Sequence, residues 1–287
     1  MTRGGKYKVD LSATDGNDAR VLASKFISKD ARVLDVGCAC GDFGMLLKKT
    51  RPCEIYGIDF DADSIMLASS TGVYKHLEQV DLNTFNNELH AEWREYFDSI
   101  TFLDVLEHVI NPLDSLKNLL VYLKPDGGVI VSLPNIAFGD IKAYLMNNEF
   151  HYTSTGILDS THLRFFTYKS IAGFLADAGL VVESAEFKLA RLDSNLKNQI
   201  DGELFTSICS DLHSFVYQYV LQCKRSDRPF SELSTSNLEV IDGALKNARK
   251  RLLWFGAKEI VSAALPPGSK WRRMLKALIL ILRAKSR

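Results

Sequence analysis

Residues 33–41, with the sequence VLDVGCACG, constrain the fold of this chain more than any other segment. A short apolar run leads into two glycines, Gly37 and Gly41, and a helical pattern follows at residues 42–49. Glycine turns between a strand and a helix let the backbone approach a ligand closely where parallel strands end. The segment therefore predicts an α/β fold with a nucleoside site at this turn.

The first 225 residues alternate short apolar runs with helical patterns, which is typical of a parallel sheet covered on both faces. Strands are predicted at residues 31–36, 54–59, 76–81, 99–104, 128–133, 180–189 and 214–223, the last two as an antiparallel pair. Helices are predicted at residues 17–27, 42–49, 63–69, 84–96, 112–123 and 168–178. We expect a Rossmann-like, seven-stranded, doubly wound sheet in a domain of residues 1–225. Within it, residues 135–167 show no clean period and are interpreted as a lid insertion.

The charges around the glycine turn indicate which nucleoside ligand it suits. A dinucleotide site requires G-x-G-x-x-G, whose middle glycine admits the pyrophosphate, and residues 37–42 (GCACGD) do not match it. Asp35 before the turn and Asp42 after it would repel a pyrophosphate. They suit the cationic sulfonium and amino group of S-adenosylmethionine, although Asp35 could instead cap the turn or the following helix.

Acidic residues also stand at the ends of the second and third predicted strands. Asp59 can accept hydrogen bonds from ribose hydroxyls, and the ring of Phe60 can pack on a base. Asp81 can receive an adenine amino group, with Leu82 as an apolar wall.

Five segments stand in the order and spacing of class I S-adenosylmethionine-dependent methyltransferases, and the chain resembles that family over about residues 16–134. They are VLDVGCACG, YGIDFD, QVDL, FLDVLEHV and LKPDGGVIVSLPN. The resemblance implies S-adenosylmethionine as cofactor, with Leu103 and Asp104 as the far wall of its site. One departure is Ala39, where relatives most often have glycine. The full predicted cofactor set is Asp35, Gly37, Cys38, Gly41, Asp59, Phe60, Asp81, Leu82, Leu103 and Asp104.

The five cysteines are too few and too scattered for a disulfide framework, so they favour a reducing compartment. Cys38 and Cys40 could be a metal pair, but no second pair follows them in the sequence. They are better interpreted as small packing residues. No metal ligand is assigned.

Two histidines are predicted to serve the acceptor side of the reaction. Methyl transfer to a hydroxyl usually needs a base, because a neutral alcohol is a poor nucleophile. His108 follows the fourth predicted strand and His162 lies in the lid, and these are the catalytic candidates. Side chains expected to bind the acceptor are Asn135, Tyr152, Asp159 and Arg164.

The lid segment at residues 150–167 resembles a stretch of bacterial methyltransferases encoded with surface-polysaccharide functions, related through LDVLEHV to ubiquinone-pathway and MetW-like proteins. This resemblance implies O-methylation of a saccharide, sugar nucleotide or glycolipid precursor. Alternatives are a quinone precursor or other small metabolite as acceptor, and a MetW-like partner protein that binds the donor without catalysis. In a structural alternative, His162 and Arg164 only hold the lid on the sheet, and Asp159 belongs to a turn or helix cap.

Residues 226–287 are predicted to form a basic helical extension, with residues 226–237 as a polar linker. Residues 243–287 contain twelve basic residues and one acidic residue, and the rest of the chain contains 23 basic and 34 acidic residues. Contact with an anionic membrane or a partner protein is expected, the alternative being that the extension packs on the domain. Nucleic acid is disfavoured because no aromatic and basic platform accompanies the charge. Without a signal-peptide pattern or a long apolar run, we expect a cytoplasmic protein, peripheral at the inner membrane face.

Overall fold

A computed structural model describes residues 16–85, 89–193 and 195–248. Its seven strands form one sheet in the order β3-β2-β1-β4-β5-β7-β6. The strands are β1 Arg32–Val36, β2 Glu54–Asp59, β3 His76–Gln79, β4 Phe97–Leu103, β5 Leu123–Pro134, β6 Leu180–Leu189 and β7 Val216–Arg225. β1 to β5 are parallel, and β7 is antiparallel to both β5 and β6. The predicted Rossmann-like seven-stranded sheet is confirmed.

The α-helices alternate with the parallel strands and then cover the antiparallel part of the sheet. They are α1 Ala19–Ser24, α2 Asp42–Thr50, α3 Ala62–Ser70, α4 Pro112–Leu120, α5 Gly139–Met146, α6 Tyr168–Asp177, α7 Leu196–Gln199, α8 Gly202–Ser210 and α9 Phe230–Asn247. Short 3₁₀ turns occur at Ala91–Trp93, Leu106–His108 and Leu212–Phe215. No helix in the described part of the chain is both long and apolar enough to cross a bilayer.

Hydrophobic residues are buried on both faces of the sheet, as a doubly wound fold requires. On β1, Val33 packs with Phe43 and Leu47 of α2 on one face. The neighbouring Leu34 joins a larger core on the other face, which includes Phe102 of β4. The strand order changes direction at β1, which pairs with β2 on one side and β4 on the other. A crevice at such a reversal is where open α/β sheets bind ligands.

The helix predicted at residues 84–96 is wrong for the residues described there. Only the 3₁₀ turn Ala91–Trp93 is helical, and residues 86–88 lie outside the described residues. At the start of the segment, the Asp81 carboxylate accepts hydrogen bonds from the backbone N–H and the side-chain amide of Asn83. Such side-chain bonds to nearby backbone compete with helix formation.

Residues 226–237 are not the polar linker that the sequence suggested, since α9 begins at Phe230. The helix packs on α6 and β6 through a buried stripe of Leu233, Asn237, Ile241 and Leu245. A single narrow stripe with an asparagine in it gives a weak apolar signal, which explains the error. The division of the chain at residue 225 stays a prediction, and most of the basic extension, from residue 249, lies outside the described residues.

Candidate active site

The glycine turn after β1 arches over the end of β2. The backbone N–H groups of Gly37 and Cys38 donate to the Ile58 carbonyl at 2.8 and 3.1 Å. Gly37 and Gly41 have φ of +71° and +86°, and a Cβ on Gly37 would collide with the side chain of Val105. Ala39 is also left-handed, with φ of +45°. The turn therefore needs glycine at two positions, and it holds an alanine in a conformation that glycine adopts more easily.

Asp59 holds this turn in place from the end of β2. Its carboxylate accepts hydrogen bonds from the backbone N–H of Ala39 and of Asp61, each at 2.9 Å. Burial raises the pKa of Asp59, and 8% of the residue is exposed. Each carboxylate oxygen keeps a second lone pair, so the geometry is compatible with the predicted contact to ribose hydroxyls.

Asp35 lies beneath the turn with partners of its own. Tyr74 donates to one carboxylate oxygen at 2.7 Å, and Thr101 donates to the other at 3.0 Å. The residue is 2% exposed, and burial raises its pKa to about 6. Asp35 therefore supports the turn from inside, and its direct contact with the donor stays a prediction. Cys38 and Cys40 are both buried, as packing residues would be.

The other predicted cofactor residues lie at the carboxyl edge of the same parallel strands. Phe60 follows β2 and is 57% exposed, so its ring is open to a base. Asp81 is exposed after β3, and Leu82 and Leu103 are half-buried. Asp104 is exposed after β4 and accepts hydrogen bonds from the side chains of Ser132 and Gln218. The sheet brings this set to one edge, while the individual contacts with the donor stay predictions.

The lid is fastened across this edge by backbone hydrogen bonds. The Glu107 carbonyl accepts from the N–H groups of Leu163 and Arg164 at 2.7 and 3.0 Å. The Arg164 guanidinium donates to the Ile110 and Leu163 carbonyls. The lid segment around residues 161–166 therefore lies directly over the turn that follows β4.

Docking of the lid brings the two predicted catalytic histidines together. The rings of His108 and His162 are 4.7 Å apart between centroids, in an edge-to-face arrangement. Nδ1 of the buried His162 lies 2.9 Å from the Ile157 carbonyl, which can only accept a hydrogen bond. Nδ1 must therefore carry the hydrogen, and the neutral ring keeps its lone pair on Nε2, as a base or ligand requires.

Glu107 is the residue of this site that the sequence analysis did not assign. It is fully buried, and neither carboxylate oxygen has a hydrogen-bond partner among the described residues. Burial raises its pKa well above the ordinary value. Ligand atoms of Glu107, His108 and His162 lie within 4.8 Å of one another, a spacing that could hold a metal ion. A charged residue inside the apolar run LDVLEHV was the available signal.

Two of the predicted acceptor residues are buried and hydrogen-bonded within the protein. Asn135 is fully buried, and its amide donates to the His213 and Val216 carbonyls and accepts from the Ala137 N–H. Asp159 is 2% exposed and accepts from the N–H and hydroxyl of Thr161 at 2.9 and 2.8 Å. Both side chains have hydrogen-bond partners within the protein, and their contact with an acceptor stays a prediction.

The exposed part of the lid is aromatic. A row of contacting rings leads from the histidines to the surface, with centroids separated by 6.3 Å (His162 to Phe165), 6.0 Å (Phe165 to Phe150) and 5.3 Å (Phe150 to Tyr152). Phe150 is 39% and Tyr152 is 59% exposed. We call these four residues the aromatic row. Of the predicted acceptor residues, Tyr152 is exposed and has no side-chain hydrogen bond to another described residue, whereas the exposed Arg164 donates to backbone carbonyls.

Comparison with known proteins places this geometry in context. A family model described as a methyltransferase domain matches residues 14–185. The ubiquinone biosynthesis O-methyltransferase of Actinobacillus pleuropneumoniae serotype 7 is 31% identical over 119 residues, which are 40% of this chain and 49% of that protein. The enzyme of the same name from Coxiella burnetii is 34% identical over 130 residues, 44% and 52% of the two chains. The chain thus spans about half the length of these curated relatives.

Solved structures agree on the fold. An S-adenosylmethionine-dependent methyltransferase from Mesorhizobium loti superposes with a TM-score of 0.51 at 16% identity, over 72% of this chain and 98% of that one. The YcgJ protein from Bacillus subtilis superposes with a TM-score of 0.50 at 16% identity, over 73% and 99%. At such low identity the likeness shows the fold alone.

Proposed function

This chain belongs to the methyltransferase domain family and is an S-adenosylmethionine-dependent methyltransferase, and from that premise we propose that it methylates a hydroxyl on an apolar aromatic acceptor of the quinol-precursor type. The aromatic row carries this proposal. It offers an exposed apolar surface that begins beside the base and continues to Tyr152.

The hydrogen bonds of the lid support an apolar acceptor over a saccharide. Sugar recognition requires several free polar side chains, because each sugar hydroxyl that is buried without a partner costs free energy. Asn135, Asp159 and Arg164 have partners within the protein. The names of the similar O-methyltransferases point the same way. The saccharide acceptor stays a prediction without such support.

The proposed reaction is an in-line displacement. The acceptor oxygen attacks the methyl carbon, the carbon–sulfur bond breaks, and sulfur keeps the electron pair as S-adenosylhomocysteine forms. The hydroxyl proton passes to Nε2 of His162, whose tautomer is set by the Ile157 carbonyl. The Glu107 carboxyl lies beside the two rings, where the positive charge formed on His162 makes its ionised form less costly.

An acceptor panel tests the proposal. The untagged chain is incubated with radiolabelled S-adenosylmethionine and with an alkylated catechol, nucleotide sugars, a glycolipid precursor and RNA. We expect label only in the alkylated catechol. Label in a sugar would overturn the acceptor class, and no transfer despite donor binding would favour the non-catalytic alternative.

Two variants connect the acceptor class to the aromatic row. Phe150→Ala and Tyr152→Ala should each raise KM for the alkylated catechol about tenfold, the effect of losing roughly 1.4 kcal/mol of apolar contact, with a smaller change in kcat. Phe230→Ala is the matched control, because Phe230 is 51% exposed on α9, outside the row. Equal KM values for all three variants would remove the row from acceptor binding.

We also propose a cytoplasmic location with peripheral contact to anionic lipid through residues 243–287, where a lipid-like acceptor would reside. Twelve basic residues and one acidic residue in this segment support it. Sedimentation with vesicles should show binding to phosphatidylglycerol and little to phosphatidylcholine, and binding should weaken at high salt. Equal binding to both lipids would contradict the electrostatic contact.

A further inference from the structure

Two histidines and a glutamate converge at the outer edge of the sheet, on the strand β3. His76 and Glu78 are two residues apart on β3, so they share one face. His90 comes from the connection between β3 and β4, immediately before the 3₁₀ turn Ala91–Trp93. Ligand atoms of the three side chains lie within 4.8 Å of one another.

Both rings present Nε2 to the same carboxylate oxygen. Nε2 of His90 is 3.4 Å and Nε2 of His76 is 3.8 Å from Oε2 of Glu78. That oxygen is inaccessible to solvent and has no hydrogen-bond partner among the described residues. Buried polar atoms are nearly always satisfied, so an orphan oxygen faced by two ring nitrogens indicates a missing partner.

The spacing matches what a tetrahedral zinc ion requires. With bonds of about 2.0 Å, ligand atoms around such an ion lie about 3.3 Å apart. The two nitrogen–oxygen distances are close to this value before any side-chain adjustment. Two imidazoles and one carboxylate suit zinc, whereas magnesium prefers oxygen ligands throughout.

Two neighbouring side chains orient the histidine rings, as the residues around the ligands of a metal site do. Nδ1 of His90 is 3.5 Å from Oε1 of Glu92, the carboxylate–histidine arrangement that orients ligands toward a metal. The ring of Trp93 lies 4.4 Å from His90 and 5.0 Å from His76, and Trp93 is 6% exposed. One side of the cluster is therefore apolar and fixed.

We propose that His76, Glu78 and His90 bind a zinc ion that fastens the β3–β4 connection to β3. That connection also carries Asp81 and Leu82, the predicted adenine contacts. The site lies outside the methyl-transfer machinery, and zinc binding is measured without the reaction, so failure of this proposal and failure of the proposed function are separate results.

Calorimetric titration with zinc chloride tests the site on the untagged chain in the His162→Ala background, which disables the other cluster that could hold a metal. We expect one zinc per chain with a Kd in the micromolar range or lower. His90→Gln and His76→Ala should each weaken binding at least tenfold, whereas His151→Ala, an exposed histidine of the lid, should not. Zinc at a hundredfold excess over Kd should raise Tm by roughly 5 °C in the parent and in His151→Ala, and the same zinc concentration should raise it less in His90→Gln and His76→Ala.

A fluorescence measurement locates the metal. With Trp254→Phe and Trp271→Phe, Trp93 remains as the single tryptophan of the chain. Cobalt(II), a probe for zinc sites, should quench its emission saturably, and EDTA should restore it. Absence of saturable binding, or equal affinity in the folded His90→Gln and His76→Ala variants, would contradict a zinc site at this cluster.

Discussion

Ala39 is strained, because a residue with a Cβ occupies the left-handed region there. Glycine pays no such penalty, although it loses more chain entropy on folding. Ala39→Gly should therefore raise the free energy of unfolding by about 0.5 to 1 kcal/mol, measured by denaturant titration. Gly37→Ala is the opposite control and should destabilise strongly, because its Cβ would meet Val105. A less stable Ala39→Gly variant would contradict the account of this turn.

Asp35 should make the stability of the ligand-free protein depend on pH. Its folded-state pKa is about 6, above the ordinary value of 3.8, so the folded chain binds this proton more tightly than the unfolded chain. The contribution of Asp35 is therefore fully present below pH 3.8, and about 3 kcal/mol in total is lost as pH rises through the folded-state pKa of about 6.

The comparison with Asp35→Asn isolates this effect from other titrating groups. Relative to the variant, the wild type should lose stability between pH 4.5 and pH 7, measured by urea unfolding at both values. Thr101→Val, which removes the hydroxyl donor to Asp35, should steepen the loss. A stability difference between wild type and Asp35→Asn that is the same at both pH values would show that Asp35 does not titrate in this range.

His162 should contribute more to catalysis than any other lid residue. We expect His162→Ala to lower kcat at least 100-fold, the usual contribution of a general base, with the Kd for S-adenosylmethionine unchanged. His151→Ala is the matched control in the same segment, and its kcat should stay near that of the wild type. If kcat of His162→Ala fell less than fivefold while donor binding held, the ring would serve only to fasten the lid.

The sequence predicted which residue types surround the site better than it predicted where they point. Gly37, Gly41 and Asp59 have local roles that follow from their place after a strand, and the structure puts them at the turn. Asn135 and Asp159 were expected to face the acceptor, but their hydrogen bonds reach His213 and Thr161. Such partners depend on tertiary packing and leave no periodic signal.

At the scale of elements, α9 depends on one buried polar residue. The Asn237 side chain accepts from the Val182 N–H at 2.7 Å and donates to the Ala172 and Leu180 carbonyls at 3.2 and 3.1 Å. Asn237→Ala would remove the partner of the Val182 N–H and of the Leu180 carbonyl, and the second donor to the Ala172 carbonyl of α6. We expect a loss of about 2 to 4 kcal/mol in the free energy of unfolding, against less than about 0.5 kcal/mol for the exposed Glu239→Ala. Similar losses in both variants would contradict this role.

Strong periodicity explains which elements were predicted correctly. β1, β2 and α2 combine continuous apolar runs or clear amphipathic stripes with glycine or acidic boundaries, and their observed limits nearly coincide with the predicted ones. The residues around 84–96 lack a stripe of this kind and contain a side-chain-bonded turn at Asp81. The helix α5 lies inside the lid, although residues 135–167 show no clean period. Its buried face is short, so it leaves only a weak periodic signal in the sequence.

At the scale of the whole molecule, the sheet order follows from the alternation of strands and helices. Chain connectivity and right-handed crossovers leave few possible orders for five parallel strands. The antiparallel pair at the end of the sheet was predicted because two strands with alternating apolar and polar residues lie close together in the sequence. The identity of the acceptor is not encoded in this way. It depends on which lid side chains remain exposed once the lid contacts the sheet. This exposure is set by tertiary contacts such as those of Glu107, His162 and Phe150, which only the folded structure reveals.

The most direct measurement compares kcat/KM for a catechol carrying a long alkyl chain with kcat/KM for unsubstituted catechol. S-adenosylmethionine is the donor, and the O-methyl product is detected by mass spectrometry. If the alkyl chain packs on the aromatic row, kcat/KM should be at least tenfold higher for the alkylated acceptor. Tyr152→Ala should bring the ratio of the two kcat/KM values closer to one. No methylated catechol of either kind, with methyl transfer to a nucleotide sugar under the same conditions, would contradict the proposed function.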